Sequence, residues 1–407
     1  MAIRPILSTL RRHKTTALLV VLEIALTCAI VCNAVFLVTQ RIDRIHMPSG
    51  VAEHELIQIG LADIGKTPDE HARTLTDLAA LRAIPGVTEV ASVNQIPFGR
   101  SSNNSGIKLD PKQNKPTVNA TNYYGENIGQ TLGVQLVAGR LLQPEDHVSL
   151  KEAGQAFKEG KTEGLPRIVV ITQPMAERLF PGQSALGKTI WLGSEVPLQV
   201  VGVVKNLVRP SIWNDAEAQY SMMLPMRVED NQYLIRTAPG QREGVLAAAI
   251  EVLKKNNPHR IFWQKRTWDE VRQKFFDSDR SMTGLLIGVC VALLVVTALG
   301  IVGLGSFWVA QRRRQIGVRR ALGATRGHIL RYFQTENFLL ATIGIAIGMV
   351  LAYGINLFLM VHYELPRLPA IYFPVGALAL WLIGQAAVLG PAMRAAAVPP
   401  VVATRSV

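Results

Sequence analysis

Cysteine is scarce in this chain and missing where a cross-link would matter. Of its 407 residues only Cys28, Cys32 and Cys290 are cysteines, and none lies between residues 41 and 281. No disulfide framework holds that stretch together, and its roughly 240 residues suffice to bury a core without one. The histidines are scattered without metal-ligand spacing, and no Ser/His/Asp grouping stands out. This argues against a metal centre and against nucleophilic catalysis. Acidic residues are missing in a pattern. None accompanies Arg4, Arg11, Arg12 and Lys14, none stands between Arg312 and Arg331, and none accompanies Arg394 and Arg405. Residues 41–281, by contrast, hold 29 basic and 27 acidic side chains, so the net charge of +13 belongs almost wholly to the short segments. That distribution is a topology signal with attraction to anionic lipid headgroups, and it speaks against a nucleic-acid partner.

Four long apolar runs, Thr15–Val38, Met282–Ala310, Phe338–Val361 and Ile371–Gly390, lie between the basic segments. At about 1.5 Å per residue, roughly 20 residues cross a hydrocarbon core of about 30 Å, and each run reaches that length. Basic residues beside span ends mark the cytoplasmic side. Four spans alternate, so both termini and the middle loop are expected in the cytoplasm and the large domain outside. The fold class expected is an α-helical membrane protein with four transmembrane helices and a large α+β extracytoplasmic domain inserted between helices 1 and 2. By residue this gives an amphipathic cytoplasmic helix at 1–14, where Ile3, Ile6, Leu7 and Leu10 share a face. Spans at 15–40, 282–310, 336–361 and 371–390 then enclose the domain at 41–281, a cytoplasmic loop at 311–335 and a tail at 391–407. The first run exceeds the length of a signal-peptide core and no small-x-small cleavage site follows, so it reads as a retained anchor. The runs lack a polar pore-facing series, which argues against a channel.

Within 41–281 the order strand–helix–strand occurs twice. It runs through Glu55–Ile59, Asp69–Ala83 and Val87–Val93, then through Gln232–Thr237, Arg242–Lys255 and Arg260–Lys265. The halves, about 50–99 and 226–270, are expected to pair into one α+β membrane-proximal subdomain. The interval 100–225 is rich in Asn, Gly and Pro and reads as a strand-rich insert. It holds a literal phosphate-loop match, Gly182-Gln183-Ser184-Ala185-Leu186-Gly187-Lys188-Thr189. That loop works between a preceding strand and a following helix. Here helix-like Met175–Phe180 precedes and strand-like Thr189–Leu192 follows, so no ATP site is expected.

Two acids stand in or beside the spans. Glu23 lies in the first, where a charge costs roughly 2.5–3.5 kcal/mol on insertion scales. Proton sensing and a polar contact across a dimer compete with a structural reading, in which Glu23 packs against Asn33-type polar groups or another span; the structural reading is preferred. Glu336 opens the third. Cys28 and Cys32, four residues apart, read as small apolar side chains on one helix face. Gly284, Gly288, Gly300, Gly303 and Gly305, with Gly344 and Gly348, read as close-packing positions. The loop Gln311–Thr335 carries Arg314, Gln315, Ile316, Gly317, Val318, Arg319, Arg320, Ala321, Leu322, Gly323 and Ala324, a short helix ended by Gly323. Thr325 can cap the next helix. An ordinary basic loop explains the arginines but not the apolar Ile316, Val318, Ala321 and Leu322, so this helix is expected to dock on a protein surface.

The Gln315–Ala324 stretch resembles the signature of MacB/FtsX-type ABC transporter permeases, in which this loop forms the coupling helix. The third span, with Glu336 and Gly344-Ile345-Ala346-Ile347-Gly348, is similar to the same domain, as is the tail Pro391–Pro400. Residues 41–281 resemble the MacB periplasmic core domain through Tyr123-Tyr124, Leu132-Gly133-Val134, Ala138-Gly139-Arg140, Pro144-Glu145-Asp146, Leu179-Phe180, Gly187-Lys188 and Val201–Val204. Gln315 stands where family members often carry an acid, which removes one ionic contact to a partner. The resemblance implies a bacterial inner-membrane permease with a periplasmic domain, working as a homo- or heterodimer. It implies no cofactor on this chain, with ATP and Mg on a separate ABC ATP-binding subunit, because the ATPase domain of MacB has no counterpart before the first span. It implies mechanotransmission and efflux of a periplasmic substrate through a membrane-fusion adaptor and an outer-membrane channel. Lipoprotein extraction, or FtsX-like regulation of a cell-wall enzyme or sensor, is the alternative.

Overall fold

The structure, a computed structural model, describes residues 14–397 apart from 65–68, 102, 162, 194–195, 230–231 and 364–366. The surface helix expected before Lys14 and the tail from Val398 onward lie outside the described residues. The chain divides into two compact units, Met1–Ile45 with Ser278–Val407, and His46–Asp277.

In the second unit, strands Leu56–Asp63, Val87–Ser92, Gln232–Thr237 and Arg260–Thr267 form one antiparallel sheet. Its order is Arg260–Thr267, Leu56–Asp63, Gln232–Thr237, Val87–Ser92, so the two strand–helix–strand stretches interleave. Ile57 lies opposite Ile235 and Ile59 opposite Tyr233. These side chains pack under helices Glu70–Arg82 and Arg242–Asn256 with Leu78, Leu81, Val245, Ala249 and Leu253. Helix Glu70–Arg82 starts where the Asp69 carboxylate accepts the Ala72 N–H at 2.9 Å.

The same helix buries Asp77 beside Leu78 and Leu81, where an unpaired carboxylate would be strongly unfavourable. Arg260 neutralises it through Nη1–Oδ1 at 2.9 Å and Nη2–Oδ2 at 2.8 Å. Tyr233 donates its hydroxyl to Asp77 at 2.9 Å and Asn256 its amide at 3.0 Å. Burial beside Asp77 pushes the Tyr233 phenol well above its ordinary range. Arg260 Nε continues to Asp63 at 3.0 Å, and Asp63 also holds Arg73 and Asn257. This network joins three of the four strands to both helices. Nothing in the periodicity announces it, because Asp77 and Arg260 are 183 residues apart in sequence.

The interval 100–225 builds a mixed sheet with strand order Leu136–Gly139, Val196–Val204, Ile168–Thr172, Ser221–Leu224, Val118–Tyr124, Asn104–Lys108, Thr189–Leu192. Val196–Val204 also pairs with Thr189–Leu192, so six of these strands close on themselves around Ile107, Val169, Ile171, Ile190, Leu198 and Met222. The phosphate-loop match joins helix Gln173–Leu179 to strand Thr189–Leu192, the reverse of the order that phosphate binding needs, and Lys188 lies 4.6 Å over the Phe180 ring. Arg140 grips Asp146 with two hydrogen bonds, at 2.5 and 2.9 Å, and holds its carboxyl below the usual range.

Helices Lys14–Ile45, Arg326–Tyr363 and Tyr372–Ala396 of the first unit, and Trp268–Gln311, whose residues up to Asp277 belong to the second, are each long and apolar enough to cross a membrane. They outrun the apolar stretches. The second begins at Trp268, not Met282, the third at Arg326, not Glu336, and the fourth continues through Pro391 to Ala396. Hydrophobicity finds only the part matched to lipid, whereas backbone hydrogen bonding carries a helix on through charged residues such as Asp269 to Arg280. Small residues let the third and fourth helices approach the first closely. A Cβ on Gly348 would lie 2.5 Å from Cys28 Cβ, and one on Gly376 would lie 2.6 Å from Cys32 Sγ. Asn33 donates its amide to Ala352 O at 3.0 Å. Cys28 and Cys32 are thus buried packing residues. On the second helix, a Cβ on Gly305 would lie 3.5 Å from Pro391, whereas one on Gly284, Gly288 or Gly303 would meet nothing within 4 Å among the described residues.

Replacing Asp77 by Ala leaves Arg260 buried without its main counter-charge, an expected loss of about 3–5 kcal/mol. Denaturant unfolding of the purified protein measures it; an unchanged midpoint would assign the network no role in stability.

Candidate functional site

The second long helix stops at Gln311, and Arg312 leads directly into the short helix Arg313–Ala321. The end of the short helix is built into the sequence. Gly323, at φ +95°, takes the left-handed position after Leu322, which glycine adopts without steric cost. Ala324 N–H bonds Arg319 O at 3.0 Å and Gly323 N–H bonds Arg320 O at 3.1 Å, a Schellman pair. Thr325 Oγ1 then accepts the His328 N–H at 3.3 Å and caps the third long helix.

The two faces of the short helix differ. Ile316 is buried against Ile329 and Phe333 of the third helix and Ala392, Ala395 and Ala396 of the fourth. Arg320 donates to Ala396 O at 3.1 Å, and the Arg319 guanidinium lies 5.0 Å over the Tyr332 ring. Gly317 is buried and Ala324 half-buried. Arg313, Arg314, Gln315, Arg319, Ala321 and Gly323 are exposed, as are two apolar side chains, Val318 at 45% and Leu322 at 83%. The expected apolar docking set is therefore split. Ile316 packs on its own membrane unit and Gly317 is buried, so neither is exposed to a partner, whereas Val318 and Leu322 face outward.

The contact that fixes this arrangement is Arg312 with Glu336. Arg312 Nη1 lies 3.0 and 2.9 Å from the two Glu336 oxygens, and the side chains are 7% and 1% exposed. Glu336 is thus the counter-ion of the residue that starts the short helix. Arg312 fell outside the candidate set, which began at Arg314, because no spacing rule links residues 24 apart. The signal available was a single acid immediately following an acid-free arginine cluster.

Glu23 lies elsewhere in the unit. Its carboxylate occupies the space over Gly300 of the second helix, where a Cβ would come within 2.5 Å of either oxygen. One turn on, Thr27 and Thr297 share a hydrogen bond of 2.7 Å. Of the two structural options, another span is the neighbour, since Asn33 bonds Ala29 O and Ala352 O.

Four membrane-spanning helices, a docked basic helix between the second and third, and a separate α+β unit define a transporter-type permease. Residues 33–253 match the MacB-like periplasmic core domain and residues 287–400 the FtsX-like permease C-terminal domain. The chain belongs to the MacB/FtsX family of ABC transporter permeases. It is 30% identical over 209 residues to the macrolide export ATP-binding/permease protein MacB of Chromobacterium violaceum, covering 50% of this chain and 32% of that protein. It is 25% identical over 345 residues to the uncharacterized ABC transporter permease YknZ of Bacillus subtilis, covering 83% and 80%. The chain therefore spans about a third of the MacB protein and most of YknZ. The solved extracellular domain of YknZ aligns with 51% of this chain at 19% identity and a TM-score of 0.32.

Removing one member of a buried ion pair costs about 3–5 kcal/mol, whereas replacing both by apolar groups of similar size is nearly neutral or stabilising. Arg312→Met alone is therefore expected to destabilise the membrane unit by about that amount, and Arg312→Met with Glu336→Met to recover most of it. Thermal unfolding in detergent reads both. Equal losses in the single and double variants would mean that the pair does not act as a unit.

Proposed function

We propose that this chain is the permease subunit of a MacB-type ABC exporter whose ATP and Mg are bound by a separate ATP-binding subunit, and that helix Arg313–Ala321 is the contact through which that subunit moves it. The observation that carries this reading is the two-sided helix. One face is locked to the third and fourth long helices by Ile316, Arg320 and the Arg312–Glu336 pair. The other presents Val318 and Leu322 among exposed arginines. A locked face transmits force without slipping, and an exposed apolar pair ringed by positive charge suits a groove with an acidic rim.

The charge pattern supports an orientation with this helix and both termini in the cytoplasm and the α+β unit on the periplasmic side of a bacterial inner membrane. ATP-driven closure of the ATP-binding subunits rocks the helix. The second long helix, continuous from Trp268 to Gln311, carries that motion from Arg312 to the end of the last strand, Arg260–Thr267. The work is mechanotransmission, with no passage of substrate through the spans. A periplasmic substrate then leaves through a membrane-fusion adaptor and an outer-membrane channel. A second permease chain, identical or related, completes the dimer, and the exposed apolar side of the second helix, with Leu285, Val295, Val296 and Leu299, is available to it or to lipid.

Leu322→Asp and Val318→Asp are each expected to weaken co-purification of the ATP-binding subunit about tenfold or more, as loss of an interface anchor does, while the permease keeps its unfolding temperature. Ile316→Asp is expected to lower that temperature instead. Full retention of the ATP-binding subunit by both surface variants would remove the assignment.

A further inference from the structure

We propose that the first unit binds one ordered water molecule at the junction of its four long helices, held by Trp308, Asn337 and Glu336. A cavity lies there between Val20 of the first helix, Leu304 and Trp308 of the second, Glu336 and Asn337 of the third, and Val388 of the fourth. It leaves about 20 Å³ for the centre of a water molecule. That is room enough to hold an ordered water molecule. Most of the wall is apolar, and an apolar wall alone would keep the space dry. Two buried N–H groups change that balance. Trp308 Nε1 and Asn337 Nδ2 have no hydrogen-bond partner among the described residues, and both side chains are only 6% exposed.

The third polar group is the Glu336 carboxylate, 1% exposed, which receives Arg312 Nη1 on both oxygens. Each carboxylate oxygen accepts more than one hydrogen bond. A water that accepts from the indole and the amide and donates to Glu336 makes three hydrogen bonds, the usual number for a buried water. Reversing the Asn337 amide keeps the site, because the water then donates to its carbonyl oxygen as well as to Glu336. The water extends the Arg312–Glu336 pair to two further side chains. Trp308, whose ring also lies 5.6 Å beneath the Arg312 guanidinium, and Asn337 become positioning residues for the short helix. None of this depends on the transport assignment.

A high-resolution cryo-electron microscopy map of the full chain in lipid nanodiscs tests the site directly. Density is expected within about 2.7–3.2 Å of the Trp308 indole nitrogen, the Asn337 side chain and a Glu336 oxygen. A map that resolves other buried waters but shows none here overturns the proposal. Trp308→Phe supplies an independent reading through amide exchange of residues 313–321. With the water bound, the variant loses one of its three hydrogen bonds, and exchange is expected to quicken roughly fivefold. In a dry cavity the same change removes an unsatisfied donor, so unchanged or slower exchange counts against the water. If the variant does not fold, the wild-type map decides alone.

Discussion

A charge buried away from water must be matched at close range, and the membrane unit is organised around one such match. Glu336 sits at the foot of the third long helix, almost wholly buried, and only a cation brought within hydrogen-bonding distance makes that position tolerable. Arg312 provides it from the junction between the second helix and the short one. Meeting that demand turns the chain, aims the short helix along the third and fourth helices, and commits Ile316 to their surface. The exposed face is then whatever remains: Val318, Leu322 and the arginines not used for anchoring. One electrostatic constraint thereby sets both which residues are structural and which are available to a partner.

The α+β unit applies the same rule with different residues. Asp77 is placed inside by its position on an amphipathic helix, and Arg260 reaches it from a strand at the far end of the unit's sequence. Tyr233, Asn256 and Asp63 complete the shell. Such networks are worth less than their contact count implies, because desolvation opposes them, but breaking one member leaves a buried charge unanswered. The network bridges strands and helices that are far apart in sequence. Here those elements come from two sequence-distant stretches that interleave in one sheet.

Much of the architecture was legible in the residues. Four apolar runs gave four long helices, and the strand and helix segments at 55–93 and 232–265 formed close to where alternation and amphipathicity put them. The reversed order around Gly182–Thr189 was readable because helix and strand patterns differ in period. Gly323 and Thr325 marked the end of one helix and the start of the next, through backbone conformation and capping chemistry that act locally. Helix ends in the membrane unit were less legible, since hydropathy reports the lipid-matched portion and says little of continuations such as Trp268 to Ser281. The glycines of the second run show the same limit: spacing shows that close approach is possible, not which neighbour arrives.

What the sequence determined by itself was whatever depends on neighbours along the chain: spans, their basic flanks, caps, turns and the pattern that marks a MacB/FtsX permease. What only the tertiary structure decided were the pairings between distant residues. Arg312 with Glu336, Asp77 with Arg260, Glu23 against Gly300 and Cys28 against Gly348 all join side chains that no periodicity relates. The division of the short helix into a held face and a free one belongs to the same class. A helical repeat says which residues share a side, but which side is covered depends on the surface that folding brings against it.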